Sequence, residues 1–301
     1  TLRGGRARDG GAIMSSGDLT LSCSVFSDNE ADYEGGAVSS AGALEVRGCS
    51  FHDNYADYGG GAISARGVTT IVDSELHENE AGYEGGAVVA SSGLRITRAA
   101  FVGNFADYSG GAVEFGSRVD ETLALEDTLF RDNEAGYEGG AVGFGSWASD
   151  RLIARRTWFV GNMAGSGAAI ELGSWGAAAL VMEDCEVRDN EATGGSAAID
   201  FGGWLRQGGS ARLARTTFTN NTARSGASVL ATNSRAAPVD VTAFAIRVLR
   251  NVGTDAAFAL EATDPMRCRR CDFGQGANDN APADVRHGGS VSGQAPMNFT
   301  L

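Results

Sequence analysis

Apolar residues in this chain fall in short alternating runs, never in long ones. Leu19-Thr-Leu-Ser22, Ala43-Leu-Glu-Val46 and Leu94-Arg-Ile96 alternate with a period of two, the pattern of short strands and not of helices. Larger apolar residues recur at matching places: Phe26, Phe51, Leu76, Phe101, Phe130, Phe159, Val187, Phe218 and Val248. Three residues after each comes an asparagine, at Asn29, Asn54, Asn79, Asn104, Asn133, Asn162, Asn190, Asn221 and Asn251, in steps of 25, 25, 25, 29, 29, 28, 31 and 30 residues. A second motif, G-G-A-[IV], keeps the same step. It starts at Gly10, Gly35, Gly60, Gly85, Gly110 and Gly139, then weakens to Gly167-Ala-Ala-Ile170, Ser196-Ala-Ala-Ile199, Gly226-Ala-Ser-Val229 and Asp255-Ala-Ala-Phe258.

Two motifs in one period identify a repeat array, which sets the fold. The pattern predicts an all-β right-handed parallel β-helix of about ten coils of 25–31 residues, each with three short strands and three turns. Closed coils satisfy their backbones by stacking on the coils above and below. At ~4.8 Å per rung, such a stack is roughly 45–50 Å long. The glycine pair is expected at a tight corner needing positive φ or close backbone approach. The asparagines are expected at another corner, in the left-handed region, bonding to each other as a structural amide ladder. Three stretches follow from the spacing: a strict short-coil half at 1–142, a longer-coil half at 143–273, and a C-terminal cap or linker at 274–301.

The combination of F-x-x-N with G-G-A-[ILV], joined as in Asn29-Glu-Ala-Asp-Tyr-Glu-Gly-Gly-Ala37, resembles the chlamydial polymorphic outer-membrane protein repeat. The likeness is good from about residue 10 to 142 and degenerates toward about 260. It implies export and a β-helical surface passenger, usually an adhesin. Members of that family also carry an outer-membrane β-barrel, which has no counterpart in these 301 residues. The chain opens in mid-motif, so a processed or trimmed piece of a longer exported protein is expected.

Composition sharpens the contrast between halves. Residues 1–150 hold 24 Asp and Glu against 9 Arg, a net −15, whereas 151–301 hold 14 against 15, a net +1, for −14 overall. An acidic face of that kind repels nucleic acid and anionic lipid and attracts cations or basic partners. All 24 basic residues are arginine. No run of 18 apolar residues is present to span a membrane as a helix.

Several columns could carry chemistry. Tyr33, Tyr58, Tyr83, Tyr108 and Tyr137 share one place in successive coils. Beside them Glu30, Glu80 and Glu134 alternate with Tyr55 and Phe105, and Glu34, Glu84 and Glu138 alternate with Gly59 and Ser109. Like charges opposed on adjacent strands destabilise a sheet, so a glutamate at every second rung, ~9.6 Å apart, avoids the clash. The result is an aromatic stripe flanked by acids, suited to a protein or glycan surface ligand. Asp28, Asp32, Asp53, Asp57 and Glu78 are the candidate ligands for Ca2+, which accepts carboxylates mixed with turn carbonyls. The alternative is a solvated acidic face, since no D-x-D-x-D-G loop is present.

From the fifth coil a loop lengthens after the glycine corner. It carries Arg118, Trp147, Trp175 and Trp204, either as an exposed ligand-binding ladder or folded back and buried. His52 and His77, beside Asp53 and Glu78, are a metal set or two outward polar residues. Of five cysteines, Cys23 and Cys49 fall at nearly equivalent places and could bridge adjacent coils, and Cys268 and Cys271 suit a local disulfide. The repeated columns favour avidity through surface contact over catalysis. A non-enzymatic extracellular or cell-surface role is therefore expected, adhesin-like or as a unit associating head-to-tail into a fibre. The competing expectation is a polysaccharide-binding or polysaccharide-degrading β-helix, although the N-T-D, D-D, G-H-G and R-I-K runs of pectin hydrolases are missing.

Overall fold

The computed structural model describes the chain apart from residues 117–120, 146–149, 174–176, 197, 203–207, 233–237, 261–264, 275–278, 281–284, 288–289 and 293–301. The described chain is a parallel β-solenoid whose strands form sheets of ten, nine, twelve and ten members. A complete coil contributes one strand to each sheet, as in Val25–Ser27, Glu30–Glu34, Val38–Ser40 and Leu44–Arg47. Pairing is parallel throughout the described coils until Val285–His287 meets Ser290–Ser292 antiparallel.

A coil thus holds four short strands where the sequence pattern predicted three. The extra one follows the asparagine and is usually two residues long, as in Tyr55–Ala56, too short to display any alternation. The apolar ladder stands in the expected register. Phe26 pairs with Phe51 and Phe101 with Phe130, and these rings are fully buried and stacked 4.6 and 4.9 Å apart. One motif slips: Ile199 pairs with Leu230, so Ala227-Ser-Val-Leu230 holds the glycine-pair place, one residue later than the sequence motif suggested.

Three corners per coil use the left-handed region. The first glycine of each strict pair has φ between 62° and 70°, and the second is held by close approach. A Cβ at Gly61 would lie 2.2 Å from the Gly86 carbonyl oxygen, so only glycine fits. The second corner lies one residue before each asparagine, at Asp28, Asp53, Glu78, Asp132, Asp189 and Asn220, with φ from 54° to 57°. The expectation that the asparagine itself adopts this conformation is thereby corrected. Its predecessor makes the bend, and the asparagine turns inward.

The amide ladder forms as expected. Asn54 Nδ2 donates to Asn79 Oδ1 at 2.9 Å and to the Phe26 carbonyl at 3.1 Å, and the pattern repeats down the stack. It extends beyond the motif, because Asn251 Nδ2 donates to Asn280 Oδ1 at 3.0 Å. Asn280, in the C-terminal segment, therefore continues the ladder.

The third corner column reads Asp73, Arg98, Asp127, Arg156, Asp184 and Arg215, all at positive φ. Each arginine grips the acid of the preceding coil through two bonds, as between Arg98 and Asp73 at 2.6 and 2.9 Å. Alternating sign puts an attractive partner on every rung, and a slip by one coil would oppose like charges. The guanidinium bonds hold Asp73, Asp127 and Asp184 below the ordinary aspartate range.

Candidate contact ridge

The tyrosine column runs along the edge of the nine-stranded sheet, within it at Tyr33 and just past its two-residue strands at the other four, before the glycine corner. Backbone bonds continue past the short strands, with Tyr58 N donating to the Tyr33 carbonyl at 2.9 Å and Tyr108 N to the Tyr83 carbonyl at 2.9 Å. Each ring is thereby held one rung from the next. Ring centroids of Tyr33, Tyr58, Tyr83, Tyr108 and Tyr137 are 5.1, 5.2, 4.8 and 5.2 Å apart. The first four are 36–39% exposed and Tyr137 is 63% exposed. Stacking covers the ring faces against one another, so solvent meets ring edges. At the N-terminal end the Arg8 guanidinium lies over the Tyr33 ring, 5.7 Å from its centroid.

The two-coil alternation is real in register. Tyr55 pairs with Glu30 and Glu80, and Phe105 with Glu80 and Glu134. On the other flank the order is Glu34, Gly59, Glu84, Ser109 and Glu138. Asp32, Asp57, Glu80, Asp107 and Glu134 are exposed. Arg6 contacts Glu30, and Arg66 contacts Glu34 at 3.2 Å. Burial, followed by the Glu34 charge, pushes the Glu84 carboxyl above its ordinary value, and burial with Asp200 does so for Glu138. Burial and the Glu84 charge raise the Tyr58 hydroxyl; the Glu138 charge and burial raise that of Tyr108. Raised in this way, the Tyr58 and Tyr108 phenols stay protonated and able to donate.

Behind the ridge lies a feature not anticipated from the sequence. Glu114, Glu171 and Asp200 are only 2–4% exposed. They occupy the second position of the strands Val113–Phe115, Ile170–Glu171 and Ile199–Phe201, where other coils carry Ser39, Ser64 or Val89. Ser109 Oγ donates to Glu114 Oε2 at 2.7 Å, and Ser166 Oγ to Asp200 Oδ2 at 2.8 Å. Room for the Glu114 carboxyl comes from the next coil, since a Cβ at Gly143 would lie 2.2 Å from Glu114 Oε2. Burial, with the Glu84 charge, pushes Glu114 to about 8, and burial with Asp200 lifts Glu171 well above the carboxylate range. A charged residue inside the apolar runs Val113-Glu-Phe115 and Ile170-Glu-Leu172 was the available signal.

The other candidates are dispersed. Asp28 pairs with Arg3 at 2.8 Å and Asp53 with His52 at 2.8 Å, while Asp32, Asp57 and Glu78 keep to their separate corners or strands. Among the described residues no group of three or more His, Cys, Asp or Glu could hold a metal ion. The His52 and His77 rings stack flat, 5.0 Å apart and 7° from parallel. Arg118, Trp147, Trp175 and Trp204 lie outside the described residues.

Cys268 and Cys271 form the local disulfide. Cys23 and Cys49 do not bridge: both are free thiols, Cys23 exposed and Cys49 buried. Ser22 pairs with Arg47, which sets Cys23 opposite Gly48 and leaves Cys49 one residue further on, turned inward. Cys185 is also free and buried, with its thiol pushed up to about 11 by that burial.

Residues 48–66 match the Chlamydia polymorphic membrane protein repeat. That stretch holds one complete asparagine corner and one glycine pair, in the coil carrying Tyr58. No curated protein and no solved structure matches the chain. The chain is a parallel β-helix, and its stretch at residues 48–66 is similar to that repeat. No helix among the described residues is long and apolar enough to cross a membrane.

Proposed function

We propose that this chain is a non-enzymatic, extracellular or bacterial cell-surface contact protein, adhesin-like, that works through the tyrosine ridge. The observation that carries this reading is the exposed stack of five tyrosines between columns of carboxylates. An exposed aromatic stripe is expensive to maintain in water unless something covers it. Its chemistry is repeated on five coils with no coil singled out, which suits additive contacts more than one reaction centre. The chlamydial repeat at residues 48–66 supports a surface location.

The test uses beads coated with the whole chain, applied to cultured cells and extracellular-matrix films. Beads bearing the wild type adhere to at least one of these surfaces. Beads bearing Tyr58→Ser with Tyr108→Ser adhere roughly tenfold less, as expected for two aromatic contacts of ~0.5–1.5 kcal/mol each. Adhesion that is absent for the wild type, or unchanged in the variant, would sink the proposal.

A further inference from the structure

The spacing of the ridge constrains what can lie along it. Glutamates of one column recur every second rung, ~9.6 Å apart, as Glu30, Glu80 and Glu134 do with Tyr55 and Phe105 between them. A β-strand returns side chains to one face every ~6.6–6.8 Å, which loses step with the column within one period. An α-helix returns after seven residues, ~10.5 Å, and is ~0.9 Å out per period. A polyproline-II helix advances ~3.1 Å per residue with three residues per turn. Its one-sided period of ~9.3 Å leaves an error of only ~0.6 Å over two periods, within the reach of a flexible basic side chain.

The surface chemistry points the same way. A polyproline-II backbone has no internal hydrogen bonds, so its carbonyls can accept from a row of phenol hydroxyls. Aromatic side chains are recurrent partners of such helices, lining the grooves that dock them. The carboxylates of Glu80 and Glu134 are exposed and have no ion-pair partner among the described residues. The chain's own strand Arg6–Asp9 already shows the contacts a basic ligand would make, because Arg6 meets Glu30 and the Arg8 guanidinium covers Tyr33. Net charge over residues 1–150 is −15, from 24 acids and 9 arginines, so a cationic partner is also steered toward this half.

We propose that the ridge docks a polyproline-II peptide segment carrying a cation at every third residue. The inference rests on the contact reading above and names the partner class of the same surface. Over five rungs the segment spans ~19 Å, placing three cations against Glu30, Glu80 and Glu134, with Arg6 displaced from the first.

Two fluorescein-labelled peptides of identical composition test it by anisotropy against the whole chain at physiological salt. The in-phase peptide repeats the triplet Arg-Pro-Pro four times, so its arginines share one face of the helix. The scattered peptide repeats the doublet Arg-Pro four times and ends in a run of four more prolines. Its net charge is the same, but successive arginines turn by ~240° and spread around the helix. The in-phase peptide binds about tenfold more tightly, and Glu80→Gln with Glu134→Gln weakens it at least about threefold. Both positions are exposed, so the double variant keeps the fold. Equal affinity of the two peptides, or affinity unmoved by the double variant, overturns the inference. Failure here with ridge-dependent bead adhesion intact would remove the partner class alone. Loss of ridge dependence in the bead assay would remove the contact reading itself.

Discussion

At pH 8.5 the Glu114→Gln variant melts several degrees above the wild type, and its melting temperature falls less between pH 5 and 8.5. The Glu114 carboxyl is 3% exposed and its folded value is pushed to about 8, from an ordinary 4.5. A raised folded value means the proton is held more tightly in the native coil than in the unfolded chain. The stability this contributes is fully present below pH 4.5 and is lost as pH rises through about 8. The whole interval corresponds to about 5 kcal/mol at ~1.4 kcal/mol per pH unit. Glutamine keeps the shape and the acceptor for Ser109 Oγ, which stands 2.7 Å away, but cannot ionise.

Glu171 shifts in the same direction, so Glu114→Gln with Glu171→Gln flattens the profile further. The acids gripped by Arg98, Arg156 and Arg215 have folded values lowered from 3.8, and they weaken the fold only on strong acidification, outside this window. Melting followed by circular dichroism at four pH values decides the matter. A wild-type melting temperature that rises from pH 5 to 8.5, with the variant tracing the same curve, would show that these carboxyls ionise without cost.

The coil stack was legible because its corners are chemically specific. In the strict coils a glycine at φ 62–70° followed by one with no room for a Cβ leaves no other residue type, and a buried asparagine that bonds both neighbouring coils must recur at every turn. The tyrosine and glutamate columns were legible for the same reason: once the period is known, the register follows. The two-residue strand Tyr55–Ala56 was not, since two residues carry no alternation. Nor was the burial of Glu114. Alternation between Val113 and Phe115 turns it away from the apolar core, which normally means solvent. Here the glycine corner folds over that outer face and brings Ser109 onto the carboxyl. The Cys23 and Cys49 pairing failed by one residue of register, a margin that separates outward from inward in any strand.

Substituting Asn104 tests the interior ladder where it is most regular. Asn104 Nδ2 donates to the Leu76 carbonyl at 3.0 Å and to Asn133 Oδ1 at 2.9 Å, while its Oδ1 accepts from Asn79 N at 3.1 Å and Asn79 Nδ2 at 3.0 Å. Asn79 Nδ2 keeps the Phe51 carbonyl at 3.1 Å, and the Leu76 carbonyl stays within the paired strands Glu75–His77 and Ala100–Val102, but Asn79 N loses the partner that the asparagine supplied. A buried polar group left unpaired costs ~1–3 kcal/mol, so Asn104→Ala destabilises by about 2 kcal/mol. Asn104→Asp is nearly the same shape yet costs more. It presents a carboxylate to two acceptors, the Leu76 carbonyl and Asn133 Oδ1, in a place that is 1% exposed. The corner position Asn220, at φ 56° and outward, supplies the contrast: Asn220→Gly is close to neutral, because glycine adopts that conformation freely. Urea midpoints ordered as Asp below Ala below wild type, with Asn220→Gly beside wild type, are the expected result. An aspartate variant as stable as the alanine one would mean that hydrogen-bond direction along the ladder does not matter, and that the column is selected for packing alone.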